Sequence, residues 1–372
     1  MFSEIKEGAT RILVPKKAKK TIFYNPKMEL CRDIDIAGVA AFVSSIPNRS
    51  QLTYIDALAG TGVRGVRVAK EVGLSVTIND RSTHAYELIN QNITLNELGV
   101  RVKSYNENAN VLLLQNKYDL VDLDPFGSPI PFLDAACKSV KKLLSVTATD
   151  TAPLCGAHSG GMRNYDAKPL KTEYHKEMAT RILVGRVTRD LCKYDKAIQP
   201  LLSYSTAHFV RIVAEVEKGA KKADERMHRL GFIAHCFSCG NRFVFSCSDI
   251  LSIQKKCELC GTRIRIAGPL YMEAIKEKRF CELVHEELRE RDMGKKKEAI
   301  KIVETCINEL DIPFYYAHHA ICKALKVAPT SISSVIAALH SSGFSASKTH
   351  FSDTAFKTDA RIDEIKAVVK GL

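Results

Sequence analysis

The chain has 372 residues, of which 45% are hydrophobic, 7% aromatic and 26% charged, a balance that excludes a disordered chain and, at this length, predicts two domains. No apolar run approaches the roughly 18–20 residues that a membrane helix needs; the longest is Ile36–Val43, and the opening MFSEIKEGAT lacks the apolar core of a signal peptide, so a cytoplasmic protein is expected. The net charge of +13 points to a polyanionic partner, and twelve cysteines without an export signal point to metal binding and buried thiols rather than disulfides.

From about residue 50 the sequence alternates short apolar runs with helical periods, the pattern of a parallel α/β sheet. Strands are predicted at Leu52–Leu58, Leu74–Asn79, Arg101–Tyr105, Asp119–Asp124 and Leu144–Thr149, with helices at Gly62–Glu71, Ser82–Leu98, Asn108–Leu114 and Pro131–Leu143. A helix over Lys171–Lys193 carries Met178, Ile182, Leu183, Val187 and Leu191 on one face. Ile198–Tyr204 and Ala207–Glu217 then read as an antiparallel hairpin, giving five parallel strands closed by an antiparallel pair. The charged, Gly-containing run Glu217–Arg226 reads as a linker, and the expected division is a catalytic domain over 1–225 and a smaller α+β domain over 226–372. In the second part, helices Glu298–Glu309, Tyr315–Leu325 and Ser331–Ser342 precede a β-like tail at Phe344–Phe351. That order reads as a winged helix, the other reading being a helical cap on the catalytic domain.

Tyr54-Ile-Asp-Ala-Leu-Ala-Gly60-Thr-Gly62-Val-Arg-Gly65 is a strand running into a glycine-rich turn that opens a helix. Glycines permit close backbone approach and positive φ, and the helix start adds free N–H donors. No dinucleotide or phosphate-loop pattern occurs; instead Asp56 precedes Gly60, and an acid there favours a cationic or amine-bearing ligand. Asp80 ends the next strand, a position that suits a bidentate acceptor for ribose hydroxyls, although Asp80 or Ser82 also reads as a helix cap. Together these features point to a nucleoside cofactor.

Leu120-Val-Asp-Leu-Asp124-Pro-Phe-Gly-Ser-Pro129 is the most informative stretch. An amine conjugated with a purine ring is a poor nucleophile until polarised. Asp124 can accept one of its hydrogens, the Pro125 carbonyl the other, and Phe126 can stack on the base while Gly127 leaves room. The bland reading is a turn ending a strand. With Phe23-Tyr-Asn-Pro26, Arg32-Asp33, Gly62-Val-Arg-Gly65 and Thr147-Ala-Thr-Asp150-Thr-Ala-Pro-Leu-Cys-Gly-Ala-His158, this motif resembles the archaeal and eukaryotic tRNA (guanine-26-N2)-dimethyltransferase family over most of residues 5–217. The resemblance implies a class I methyltransferase fold with a Rossmann-like seven-stranded sheet, S-adenosyl-L-methionine as methyl donor, and mono- then dimethylation of guanosine 26 in tRNA. Matched motif by motif, it places Arg32, Arg64, Asp80, Asn108 and Ala109 at the cofactor, Asp124 at the catalytic acid, and Phe23 and Phe126 at the target base. The family usually has an acid where Asn108 stands, which moves the adenine contact to Glu107 or to backbone, and Thr151 replaces a usual glycine.

Cys236-x2-Cys239 and Cys257-x2-Cys260 stand 17 residues apart, each pair followed by glycine, the spacing of a four-cysteine structural Zn ribbon. Basic groups cluster at Lys16–Lys20, Lys168–Lys176, Lys218–Arg229, Lys255–Arg265 and Lys295–Lys301, each a solvated face by itself and together a grip for the tRNA backbone. A monomer without an obligate protein partner is expected. Two other functions fit the same features: methylation of another amine, such as N6 of adenine or another guanine in RNA, and RNA binding without catalysis.

Overall fold

The computed structural model describes residues 2–16, 22–206 and 208–372. The chain opens with an antiparallel hairpin of β1 (Phe2–Glu7) and β2 (Thr10–Pro15). Helix α1 (Glu29–Ser44) is buried from Cys31 to Val43. It is apolar almost all round and has no single stripe, which is why periodicity alone did not flag it. There follow β3 (Thr53–Asp56), α2 (Val63–Arg67), β4 (Ser75–Asn79), α3 (Thr83–Leu95), β5 (Val102–Tyr105), α4 (Ala109–Gln115), β6 (Tyr118–Leu123), α5 (Ile130–Ser139) and β7 (Val140–Ala148). The helix predicted at Pro131–Leu143 stops four residues early, because Val140, Leu143, Leu144 and Val146 are buried in the sheet as part of β7. Helix α2 continues through one wide turn at Val68–Val72 and ends at Gly73, whose φ is 83°.

The chain goes on through α6 (Thr151–Leu154), α7 (Gly160–Tyr165), α8 (His175–Cys192), β8 (Lys196–Thr206) and β9 (Phe209–Lys218). The run read as a linker folds as α9 (Ala220–Met227), an Ala/Lys/Glu/Arg sequence with good helix propensity that starts directly after Gly219. After it come β10 (Leu230–His235), β11 (Arg242–Ser246), β12 (Arg265–Tyr271), α10 (Lys278–Glu290) and α11 (Lys296–Asn308). The C-terminal elements are β13 (Tyr316–Ala317), α12 (His318–Leu325), α13 (Ile332–Ser341), β14 (Ala346–Lys348), β15 (Ala355–Thr358) and α14 (Ile362–Lys370). Two helices followed by a strand pair, with β13, β15 and β14 in one small sheet, is winged-helix-like. No described helix is long and apolar enough to cross a membrane.

The large sheet has seven strands in the order β5-β4-β3-β6-β7-β9-β8, and β3 through β7 pair in parallel. Chain order reverses at β3: β4 and β5 lie to one side, β6 and β7 to the other. In open parallel sheets ligands bind beyond the carboxyl ends of the strands at this reversal, which here means beyond Asp56 and Leu123.

Two compact units divide the chain. The first comprises residues up to Ala148 with Arg211–Lys218 and Glu277–Glu304; the second comprises Thr149–Val210, Gly219–Lys276 and Thr305–Leu372. In the first unit α10 packs along α1, and fully buried Asp33 joins the two stretches. It accepts from Arg67 Nη1 at 2.7 Å and from the backbone N–H of Lys295 at 2.8 Å. In the second unit buried Glu177 on α8 accepts the backbone N–H groups of Phe314 and Tyr315 and pairs with Arg181 and Lys357. Asp33→Ala removes two hydrogen bonds to a buried carboxylate and is expected to lower stability by at least about 2 kcal/mol. The measurement is the urea midpoint; an unchanged midpoint would contradict this role for Asp33.

Candidate active site and metal centre

Asp56 ends β3 with its carboxyl buried, and Gly65 N–H donates to it at 3.0 Å. Gly60 (φ 57°) and Gly62 (φ 77°) give the turn its shape; a Cβ on Gly60 would lie 2.6 Å from the Phe23 carbonyl oxygen, so only glycine fits. Asp80, at the tip of β4, accepts Gly60 N–H at 2.8 Å and Ser82 N–H at 2.9 Å. Ser82 caps α3 through Ala85 N–H, so of the two capping candidates the cap is Ser82. Asn79, which the sequence reading missed, donates to the carbonyls of Ala57 and Glu107 and accepts Glu107 N–H, tying together the loops after β3 and β5. Asn108 caps α4 through Asn110 N–H, Glu107 accepts Asn108 N–H, and Ala109 is buried at the helix start. Asp56 is raised well above the usual carboxylate range, first by burial and then by the charge of Asp122; Gly65 N–H opposes this only in part.

Asp124 follows directly after β6. Its partners are arginines the sequence placed elsewhere or did not single out. Arg64, on α2, is buried and pairs with Asp35 and Asp124, with Asp122 3.8 Å from its Nε. Arg211, on β9, is fully buried. It donates to Asp35 at 2.9 Å, to Asp122 at 2.5 Å and to the Thr147 hydroxyl at 2.7 Å. Burial alone would raise Asp124, but the charges of Arg64 and Arg211, with hydrogen bonds from Arg64 and Thr147, hold it below the usual carboxylate range. Arg32 is also buried; it forms a two-pronged pair with Glu7 at 2.5 and 2.8 Å and reaches the Asn25 carbonyl. Asp35 and Arg211 lay outside the sequence reading, and Asp122 and Thr147 stood in its quoted motifs without a role of their own. The available signal was carboxylates embedded in apolar runs, Asp33 and Asp35 within Cys31–Val43 and Asp122 within β6.

Phe126, two residues past Asp124, is 83% exposed, and Phe23 is 52% exposed. Their ring centroids lie 5.4 Å apart at 57°. Pro125 between them in the motif is buried, and Gly127 (φ 95°) has nothing within 4 Å of where a Cβ would be. Such aromatics offer faces on which a planar group can stack, and the ionised carboxylate offers an acceptor for N–H hydrogens. Of the run Lys16–Lys20 only Lys16 lies within the described residues.

The metal centre belongs to the second unit. Cys236 and Cys260 sulfurs are 3.4 Å apart, Cys239 and Cys257 sulfurs 3.5 Å, and all four lie within 4.8 Å of one another. A tetrahedral zinc with bonds of about 2.3 Å asks for sulfurs about 3.8 Å apart. Each pair sits in the same knuckle: Gly240 N–H donates to Cys236 O at 2.9 Å, and Gly261 N–H to Cys257 O at 2.8 Å, both glycines at positive φ. The four thiolates fit zinc, which they would hold with no position left for substrate. A second group, Cys306, Glu309 and His350, is a worse donor set. Glu309 is already engaged by Lys357, Thr349 and His350, and an ammonium 3.0 Å from the carboxylate opposes a cation.

Sheet order, glycine turn, Asp80 and the Asp124 motif define a class I methyltransferase. Residues 5–370 match the N2,N2-dimethylguanosine tRNA methyltransferase family, and the chain belongs to it. It is 46% identical to the tRNA (guanine(26)-N(2))-dimethyltransferase of Methanosarcina mazei, over 99% of this chain and 98% of that one. The enzyme of the same name from Haloquadratum walsbyi is 39% identical over 98% and 97%. The structure of Trm1 from Pyrococcus horikoshii in complex with S-adenosyl-L-methionine superposes with a TM-score of 0.89, at 35% identity, covering 98% of this chain and 99% of that one. For the metal centre, Cys257→Ser with Cys260→Ser is expected to abolish zinc in the purified protein. Elemental analysis by plasma mass spectrometry reads this, and zinc retained at the wild-type level would count against the four-thiolate site.

Proposed function

We propose that this chain transfers methyl groups from S-adenosyl-L-methionine to the exocyclic N2 amine of guanosine 26 in tRNA, first one and then a second. The observation that carries this reading is the ionised Asp124 carboxylate at the end of β6, followed directly by solvent-facing Phe126 with Phe23 beside it. The nitrogen lone pair of a guanine amine is delocalised into the ring, so the amine attacks only when an acceptor draws on its hydrogens. Asp124 is that acceptor, and the Pro125 carbonyl is assigned to the second hydrogen. Phe126 and Phe23 hold the extruded base, which fixes the amine in line with the methyl group. The sulfonium donor, when bound, supplies an activated methyl that needs no further assistance. Gly60, Asp56, Asp80, Asn108, Ala109, Arg32 and Arg64 are assigned to its binding; burial pushes Asp56 toward its neutral form, and a cation bound close by would favour its ionised form, the proton passing to solvent.

Residues 1–225 are assigned to catalysis and 226–372, with the zinc ribbon and the winged-helix-like segment, to gripping tRNA. The cytoplasm, where tRNA is modified, is the assigned location. With labelled S-adenosyl-L-methionine and unmodified tRNA transcript, the wild type is expected to place label in N2-methylguanosine and N2,N2-dimethylguanosine. Asp124→Ala should lower the rate by about 10²-fold or more. Label in another nucleoside would overturn the substrate, and full activity of Asp124→Ala would overturn the mechanism.

A further inference from the structure

We infer that Phe237, in the first cysteine knuckle, is a platform on which an unpaired base of the tRNA stacks, with Arg265 beside it to hold a neighbouring phosphate; the inference rests on the assignment of residues 226–372 to gripping tRNA. A lone exposed apolar residue is ordinary on a protein surface. Phe237, which is 50% exposed, differs in how firmly it is held in the open. The backbone of its knuckle is closed by hydrogen bonds from Cys236 N–H to Asn241 O at 2.8 Å and from Gly240 N–H to Cys236 O at 2.9 Å. Cys236 and Cys239, on either side of it, supply two of the four sulfurs placed for zinc. The knuckle is also pinned to α14, whose Lys366 Nζ donates to the Cys239 carbonyl at 2.6 Å. His235 supports the ring from within, its own ring edge-on with centroids 4.5 Å apart and 77° between the planes. His235 is buried and hydrogen-bonded through Nδ1 to the hydroxyl of fully buried Tyr174 at 3.0 Å. A ring fixed in this way has little motion to lose when a ligand covers it.

The charges around the ring select the ligand. Arg265 is exposed at the start of β12, opposite His235 in register, with its guanidinium carbon 5.7 Å from the Phe237 centroid. Among the described residues this guanidinium has no carboxylate partner. Lys255, Lys256 and Arg263 are exposed on the same ribbon. Its two acids are already engaged, Asp249 by the Ser246 hydroxyl at 2.6 Å and Glu258 by Arg361 at 3.1 Å. A flat apolar face next to uncompensated cations suits a polyanion that carries aromatic rings. In single-stranded nucleic acid the base stacks on the side chain while a cation takes the phosphate. Paired bases are already stacked on one another, so the ligand is a nucleotide outside the tRNA helices.

The two contacts have different signatures, because a stacked base releases no counterion and a phosphate contact does. The test measures the Kd of full-length wild type, Phe237→Ala, Phe237→Tyr and Arg265→Gln for tRNA transcript by fluorescence anisotropy over a salt series. Zinc content is measured on each protein. Phe237→Ala is expected to weaken binding by about fivefold to a hundredfold, with the slope of log affinity against log salt unchanged. Phe237→Tyr, which keeps the flat ring, should stay within about twofold of wild type. Arg265→Gln should make the slope shallower by about 0.7–1. In steady-state methylation the loss in Phe237→Ala should fall on KM for tRNA rather than on kcat. Should Phe237→Ala lose its zinc, Phe237→Leu against Phe237→Tyr reads the same difference at similar bulk. Wild-type affinity in zinc-bound Phe237→Ala overturns the inference, as does a loss that Phe237→Tyr shares in full. If Arg265→Gln still flattens the salt slope in that case, the assignment of the C-terminal residues to tRNA survives. A wild type without affinity for tRNA defeats that assignment instead.

Discussion

The buried ion network of Asp35, Asp122, Arg64 and Arg211 is the constraint on which the active site depends. Isolated charges in the interior cost several kcal/mol each, and such clusters persist only when the geometry is tight and the remaining donors are satisfied. The chain meets that condition by drawing the members from separate elements: Asp35 from α1, Arg64 from α2, Asp122 from β6 and Arg211 from β9. Arg211–Asp35 fixes α1 against the sheet, Arg64–Asp35 joins α1 to α2, and Arg211–Asp122 joins two strands. Asp124 lies beside this network, its side chain 21% exposed, and is held in its charged form by Arg64 and Arg211. The same logic acts two residues earlier in α1, where Asp33 ties Arg67 to the backbone of Lys295.

The legible parts of the site were those whose chemistry is local in sequence. A strand, a glycine turn and a helix start follow one another in Tyr54–Gly65, so the ligand edge could be read from spacing. The cysteine knuckles are local for the same reason, each closed by its own glycine. Asp124-Pro-Phe-Gly announced itself because a carboxylate followed by proline and an exposed aromatic has few structural uses together. Arg211 had no such signature. It is one basic residue in a β-rich stretch, and its meaning comes from pairing with residues more than sixty positions away.

The fold shows the same division. The parallel strands were recognisable as short apolar runs; of the small C-terminal sheet only β14 falls within the tail read as β-like, while β15 and α14 beyond it were not read. Helix α1 was not recognisable either, since burial on all sides erases the stripe on which periodicity depends. The run at 217–226 misled in the opposite direction: its charges suggested a tether, but charged residues with long aliphatic stems are also good helix formers, and Ala223 is buried. In both cases sequence reported polarity, while the packing around the segment decided its form.

Charge accounting connects the network to the ligand. Asp35, Asp122 and Asp124 face Arg64 and Arg211, three carboxylates against two guanidinium ions, with Asp56 close by and pushed toward its neutral form by burial and by the charge of Asp122. The site is thus short of positive charge before anything binds. A sulfonium donor brings a cation that its demethylated product lacks, so the attraction weakens at the moment the methyl leaves. Charge that would destabilise an empty pocket favours the reactant over the product, and the low local dielectric that makes the ion network costly makes that preference stronger.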